Sequence, residues 1–278
     1  MRFFLLLLLS WNCLGVHAEP VELTMANKLV ALAEYRKGTP NKPAVILLHG
    51  FLQTHDFPTV HSLVAGLVDA GYTVLAPTLT LGVTYRKQSM ACEAIHTHTM
   101  RDGMEEIAAW VGWLKARHHG DIVLIGHSFG SLEAIAYLSD KHDQAVTRFI
   151  GISVIEGRLT LDAAQTAHLI AEMRLAANSG EPRVVVHQFS FCQRYQSTPK
   201  GLLSYLEWTP RRVLDAAAGL PVPSLFIMGG RDDRLGNGWV SQLKVRSRVK
   251  IIEGANHFMD GEYEFDMIDA VLAELKVS

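Results

Sequence analysis

Ile122-Val123-Leu124-Ile125-Gly126-His127-Ser128-Phe129-Gly130 is the stretch that decides how this chain folds. Four consecutive apolar residues without alternation read as a strand covered on both faces, the pattern of an interior strand in a parallel sheet. The run stops at Gly126 and gives way to a helical pattern over Ser128 to Asp140, so one serine stands between two glycines at a strand-to-helix turn. Such a turn imposes strained backbone angles on the serine, and a side chain at either glycine would collide with the adjoining strand and helix. A serine exposed at the tip of that turn is placed to attack.

Working outward, Ala44-Val45-Ile46-Leu47-Leu48 is a second uninterrupted apolar run, ending at His49-Gly50-Phe51. Val21 to Met25 and Leu29 to Tyr35 alternate and are joined by Ala26-Asn27-Lys28, which predicts an antiparallel hairpin. From residue 59 the chain alternates helix and strand. Thr59 to Ala70 is an amphipathic helix, Tyr72 to Ala76 a strand, Met100 to Arg117 a helix opened by acidic residues, and Arg148 to Val154 a strand. This alternation predicts βαβ units and an α/β architecture built on a mostly parallel sheet.

The alternation breaks after Val154. Leu161 to Asn178 reads as helix, Arg183 to Phe189 as strand or extended chain, and Pro199 to Ala218 as two short helices around Thr209-Pro210. A crossover does not need that much chain, so a cap inserted at about 156–218 is expected over the site. Phe189-Ser190-Phe191-Cys192-Gln193-Arg194-Tyr195 could line a substrate pocket there or form the cap's own core. The sheet resumes with Val222 to Met228, ending at Gly229-Gly230-Arg231-Asp232-Asp233. Arg248 to Ile252 is the last strand, followed by Gly254-Ala255-Asn256-His257 and a helix from Gly261 to Leu275.

Residues 1 to 18 stand outside this pattern. Arg2, the apolar Phe3 to Leu9 and the small residues of Val16-His17-Ala18 predict a secretory signal peptide cleaved after Ala18. Ser10, Asn12 and Gly15 interrupt the segment, whereas about 20 apolar residues are needed to span a bilayer, so no stable membrane span is expected after cleavage. Export would leave two cysteines, Cys92 and Cys192, in an oxidising compartment, and a disulfide between them is the natural expectation. With 49% hydrophobic and 19% charged residues the chain can bury one large core. A formal net charge of −2 and the lack of a basic run argue against a nucleic-acid partner.

A serine hydroxyl needs a base within hydrogen-bond reach and a third group to fix the base's tautomer. Among the histidines only His49 and His257 follow an apolar strand end, where a parallel sheet displays its functional loops. His49 is tied into the adjacent Gly50 turn, which leaves His257 as the base. Among carboxylates, Asp232 and Asp233 sit at a strand's carboxyl end beside glycines. His96-Thr97-His98, near Cys92, lacks a third ligand at metal spacing and reads as a polar loop before the helix at Met100.

Taken together, the chain resembles the α/β-hydrolase fold family from about Val21 to Leu275, in the order serine, acid, histidine. The resemblance implies a twisted, mostly parallel sheet of about eight strands, helices on both faces and a helical cap. In the family the acid stands three residues past the glycine closing the seventh strand. Counting from Gly229 gives Asp232, and counting from Gly230 gives Asp233. Asp232 is preferred, because Leu235 then falls where the family carries an aliphatic residue. His49-Gly50-Phe51 resembles the oxyanion loop, which assigns the two main-chain donors to Phe51 and Phe129 and leaves His49 as a turn-stabilising residue. His127 is expected to fill the turn.

The resemblance implies a secreted serine hydrolase acting on a small-molecule or lipid-like carboxylic ester without a cofactor. Thioesters, amides and peptides are rival substrates of the same class. An idle binding protein on the same fold is the alternative of a different class.

Overall fold

The computed structural model describes residues 18–156, 163–180 and 183–276. The expected signal peptide falls on residues outside this range, except for Ala18. The strands are β1 (Glu19–Thr24), β2 (Val30–Arg36), β3 (Ala44–Leu48), β4 (Thr73–Thr78), β5 (Ile122–His127), β6 (Val146–Ile152), β7 (Val185–Phe189), β8 (Cys192–Ser197), β9 (Ser224–Gly229) and β10 (Val249–Ile252). The helices are α1 (Pro58–Asp69), α2 (Met100–Lys115), α3 (Phe129–Lys141), α4 (Ala163–Asn178), α5 (Pro199–Leu206), α6 (Pro210–Ala218), α7 (Trp239–Arg246) and α8 (Tyr263–Leu275).

Eight strands form one sheet in the order β1-β2-β4-β3-β5-β6-β9-β10. The pairs β1 with β2 and β2 with β4 are antiparallel, and every other pair is parallel. The uninterrupted apolar runs of β3 and β5 follow from this central position. Val45, Leu47, Val123 and Ile125 point to the face covered by α1 and α8, where Leu63, Leu67, Met267 and Val271 meet them. Ile46, Leu48 and Leu124 point to the other face, under Ile107, Trp110, Leu132 and Ile135 of α2 and α3. Each face removes a wide apolar surface from water, at about 25 cal/mol per Å² buried.

Helix boundaries follow local chemistry. Thr99 and Asp102 close a reciprocal capping box at the start of α2, each side chain taking the other residue's main-chain N–H. Pro199 and Pro210 begin α5 and α6 at the position where a missing N–H costs nothing, behind the N-caps Thr198 and Thr209.

Between β6 and β9, which are neighbours in the sheet, the chain makes α4, β7, β8, α5 and α6. The segment over Phe189 to Tyr195 belongs to an antiparallel hairpin, with β7 and β8 pairing across Val185 and Ser197, Val186 and Gln196, and His187 and Tyr195. The insertion thus adds a two-stranded sheet to the expected helices. Its second strand is strapped to the loop after β4. Cys92 and Cys192 are disulfide-bonded with Cα atoms 5.4 Å apart, the His96 N–H donates to Gln196 O at 2.8 Å, and the Thr198 N–H donates to His96 O at 3.1 Å. His96 and His98 are buried in this seam, with the His96 ring stacked on Tyr195 at 4.3 Å. They lie in the packing, away from the serine.

Candidate active site

The turn after β5 carries the strain that its sequence predicts. Ser128 adopts φ 55° and ψ −119°, a region that costs an L-residue of order 1–3 kcal/mol. A Cβ on Gly126 would lie 2.5 Å from main-chain atoms of Gly130 and Ser131, and one on Gly130 would lie 2.5 Å from the His49 carbonyl oxygen. Both glycines are therefore required by backbone closing on backbone, with no side chain able to yield. The Ser128 N–H donates to Ile152 O at 2.8 Å, and the buried Ser131 hydroxyl donates to Gly126 O at 2.6 Å while accepting the Ile152 N–H at 3.1 Å. Ser131 thus bolts the ends of β5 and β6 together beneath the serine. Nothing in the sequence distinguishes it from an ordinary first-turn serine.

His257, in the loop after β10, places Nε2 2.8 Å from Ser128 Oγ and Nδ1 2.7 Å from Asp232 Oδ2. Ser128, His257 and the Asp232 side chain are all buried, the last to 1% exposure. The other Asp232 oxygen accepts the Arg234 N–H at 3.0 Å. Asp233 is exposed and makes no bond to His257. Of the two sequence candidates, only Asp232 is brought to the histidine.

His127 is wholly buried behind this row and donates from Nε2 to the His257 carbonyl at 3.1 Å, so it holds the main chain of the histidine loop. Burial, reinforced by the proximity of His257, pushes its pKa down to about 3 and keeps it neutral.

His49 has a more specific task than turn-filling. Its Nδ1–H donates to Gly50 O at 2.8 Å, and its Nε2 accepts the Leu79 N–H at 3.0 Å and faces Arg86 Nη2 at 3.1 Å. Burial and then the Arg86 charge lower its pKa to about 3, so the ring is neutral with the proton on Nδ1. The Gly50 carbonyl and the Phe51 N–H belong to one trans peptide and point in opposite directions. Anchoring the carbonyl therefore aims the N–H. Among the described residues, neither the Phe51 nor the Phe129 N–H has a protein acceptor, and their rings lie 4.7 Å apart beside Ser128.

Behind His49 lies a buried charge cluster that sequence reasoning did not find. Arg86 donates from Nε to Leu79 O at 2.7 Å and sits in the field of Glu106 and Glu133. Glu106 accepts the Thr80 N–H at 2.8 Å, and Glu133, in α3, packs against Gly103. Its only sequence signal is a carboxylate within the apolar run Leu132-Glu133-Ala134-Ile135.

Burial raises Glu106 to about 7 and Glu133 to about 8, from an ordinary 4.5. The folded chain keeps these protons where the unfolded chain has lost them, so their contribution is fully present below pH 4.5 and is lost as pH rises through 7 and 8. His49, His98 and His127 work in the opposite sense. Held at about 3 against an ordinary 6.5, they contribute stability above pH 6.5 that is lost as pH falls toward 3. Thermal melting should therefore show a maximum near about pH 6, with a fall on both sides. Glu133→Gln, which mimics the protonated carboxyl, should flatten the alkaline limb, and an unchanged limb would remove Glu133 as its source.

A cavity of about 990 Å³ opens over Ser128 and His257. Phe51, Phe129, Leu132, Phe189 and Tyr205 give it an apolar wall, and Phe191 and Arg234 stand at its rim. The hairpin residues Phe189 and Phe191 lie 5.4 and 5.5 Å, ring to ring, from Phe51. The segment thus lines the cavity at Phe189 and Phe191 and packs as core at Cys192 and Tyr195.

A strand-turn-helix serine on a mostly parallel sheet, faced by a histidine and a carboxylate from later strand ends, defines an α/β-hydrolase arrangement. The profile of the Alpha/beta hydrolase family matches residues 45–271, and the chain belongs to this family. Its fold is similar to that of the ferulic acid complex of Est1E from Butyrivibrio proteoclasticus (18% identity, TM-score 0.65, covering 93% of this chain and 100% of that one). It is also similar to the monoacylglycerol lipase of Paleococcus ferrophilus (17%, 0.66, 87% and 97%) and to a thioesterase domain from the curacin biosynthetic pathway (15%, 0.60, 93% and 99%). No curated protein matches the chain in sequence.

Proposed function

We propose that the protein is a secreted serine hydrolase that cleaves a carboxylic ester through an acyl-enzyme. The observation that carries this reading is the continuous row from Ser128 Oγ to His257 Nε2 (2.8 Å) and from His257 Nδ1 to Asp232 Oδ2 (2.7 Å) at the floor of an apolar cavity. His257 Nε2 takes the Ser128 proton as Oγ bonds to the ester carbonyl carbon. The carbonyl oxygen becomes an oxyanion and receives the Phe51 and Phe129 N–H groups, each contributing about 3 kcal/mol to its stabilisation. Asp232 keeps the second imidazole proton on Nδ1 and balances the imidazolium. His257 then gives the first proton to the leaving alcohol oxygen as the C–O bond breaks. In the second half it deprotonates a water that attacks the acyl carbon, and Ser128 regains its proton as the acid departs.

The insertion at 156–218 acts as a cap in this reading, since its hairpin hangs Phe189 and Phe191 over the cavity. The aromatic wall suits an apolar acyl group. Export rests on the leader pattern of residues 1–18 and agrees with the Cys92–Cys192 bridge, which persists in oxidising compartments.

A fluorophosphonate probe tests the reading directly. The exported chain should be labelled once, at Ser128, as read by peptide mass mapping. An unlabelled Ser128 in folded protein would sink the enzyme and leave a binding protein on a hydrolase fold.

A further inference from the structure

Arg234 lines the cavity that holds Ser128 and His257, and the chemistry above gives its side chain no task. Its main-chain N–H is committed to Asp232, but its guanidinium points along the cavity rim, 4.7 Å from the Phe258 ring centroid and 5.8 Å from that of Phe191. Among the described residues no carboxylate lies within 4.0 Å of it. Two acidic residues share the cavity without meeting it. Glu156 is buried, with both oxygens facing the Gly236 N–H at 3.2 Å, and Asp233 forms no ion pair with its neighbour.

An arginine held against two aromatic faces loses little further freedom when its edge is engaged. Its fork of N–H donors matches a carboxylate two bonds at a time. Position decides which part of a substrate it would meet. Phe258 follows His257 in the chain and its ring lies 5.3 Å from the imidazole, so Arg234 stands on the histidine side of the serine. That is the side from which the leaving group takes its proton. Phe129, Leu132 and Tyr205 line the same cavity and offer no charge to an anion.

We infer that Arg234, backed by Phe258 and Phe191, forms a leaving-group subsite for a carboxylate, so that the preferred substrate is an ester whose alcohol part carries a negative charge. The inference rests on the serine-hydrolase reading and names its substrate class. Arginine was not singled out in the sequence because Arg231-Asp232-Asp233-Arg234 reads as an ordinary charged turn.

The test compares 4-carboxyphenyl butyrate with 4-(hydroxymethyl)phenyl butyrate, whose phenols leave with about equal ease because neither para group pulls strongly on the ring and which differ in charge, and adds the aryl hemiester of glutarate to put the charge on the acyl side. Wild-type protein should favour the 4-carboxyphenyl ester in kcat/KM, mainly through KM. Arg234→Gln should reduce that preference by about 10- to 100-fold, as expected for loss of a hydrogen-bonded charge pair, and Arg234→Lys should retain part of it. Equal losses on both butyrates would mean that Arg234 only supports the Asp232 turn, and would overturn the subsite. So would the absence of any preference in wild type, or a preference confined to the glutarate hemiester.

Binding of 4-hydroxybenzoate, measured by calorimetry on wild type and Arg234→Gln, requires no turnover. It should be weakened at least tenfold by the substitution. If Ser128 proves unreactive toward the probe yet 4-hydroxybenzoate binds through Arg234, the anion subsite stands and the ester chemistry fails. If Ser128 reacts and no Arg234-dependent binding is found, the subsite fails alone.

Discussion

Ser128→Ala should lower kcat for an aryl butyrate by about a million-fold, because the nucleophile and its base act as a unit and the loss of either removes nearly the whole contribution of the pair. Alanine keeps the Cβ, so it neither relieves nor adds to the strain at φ 55°, and the turn should remain as it is. The main-chain bonds that hold it, from Ser128 N–H to Ile152 O and from the Ser131 hydroxyl to Gly126 O, do not involve Oγ. The melting temperature should therefore stay within a few degrees of wild type while turnover and fluorophosphonate labelling both vanish. What survives should be a slow attack by water in the cavity, assisted by the Phe51 and Phe129 N–H groups that the substitution leaves in place. His257→Ala should fall as far, since Oγ at its ordinary pKa is a weak nucleophile. A Ser128→Ala protein that retained a tenth of the activity would show that another group performs the attack.

Much of this site is legible because its geometry is set by short stretches of main chain. The glycines at 126 and 130 are demanded by backbone packed on backbone, and that demand is visible in one pentapeptide. The two-sided burial of β3 and β5 leaves the same kind of local mark, since Ala44 to Leu48 and Ile122 to Ile125 are apolar on both faces. Phe51 is nominated by the resemblance of His49-Gly50-Phe51 to the family's oxyanion loop, a short stretch of main chain.

What escaped the sequence is held by distant partners. β8, with Gln193 and Arg194 exposed and Cys192 and Tyr195 buried, owes its place to the disulfide and to the loop at His96, about 100 residues away in sequence. Helix α7 spans 8 residues behind the left-handed Gly238, too short for its periodicity to stand out. The cluster of Arg86, Glu106 and Glu133 joins the loop after β4 to α2 and α3. Arg86 and Glu106 alone read as surface charges, and only the fold shows that they are buried together with Glu133 behind His49. Between the adjacent aspartates the residues themselves leave the choice open, and the preference for Asp232 comes from the family count and the place of Leu235. The two are neighbours at the same strand end, and which of them turns toward His257 depends on the path of a few residues after Gly229.

Asp232→Asn should cost about 10⁴-fold in kcat, and Asp233→Asn should stay within about tenfold of wild type. The asymmetry follows from hydrogen-bond direction. Asp232 accepts two bonds, the His257 Nδ1–H at 2.7 Å on one oxygen and the Arg234 N–H at 3.0 Å on the other. An asparagine has one oxygen to offer, and the main-chain N–H of Arg234 can only donate, so the amide oxygen settles there. The amide NH₂ then faces His257 Nδ1, which must accept. That moves the imidazole proton to Nε2, and a protonated Nε2 cannot take the proton of Ser128. The geometry survives while the tautomer is wrong, which is why the loss should appear in kcat with little change in KM. Asp233 makes neither bond, so its amide disturbs only an exposed charge near the cavity rim. Steady-state kinetics on the two variants, with melting curves to show both are folded, decide between them. If Asp233→Asn were the more damaged enzyme, the acid of the row would be Asp233, and the short His257–Asp232 contact would be a structural bond of the resting chain.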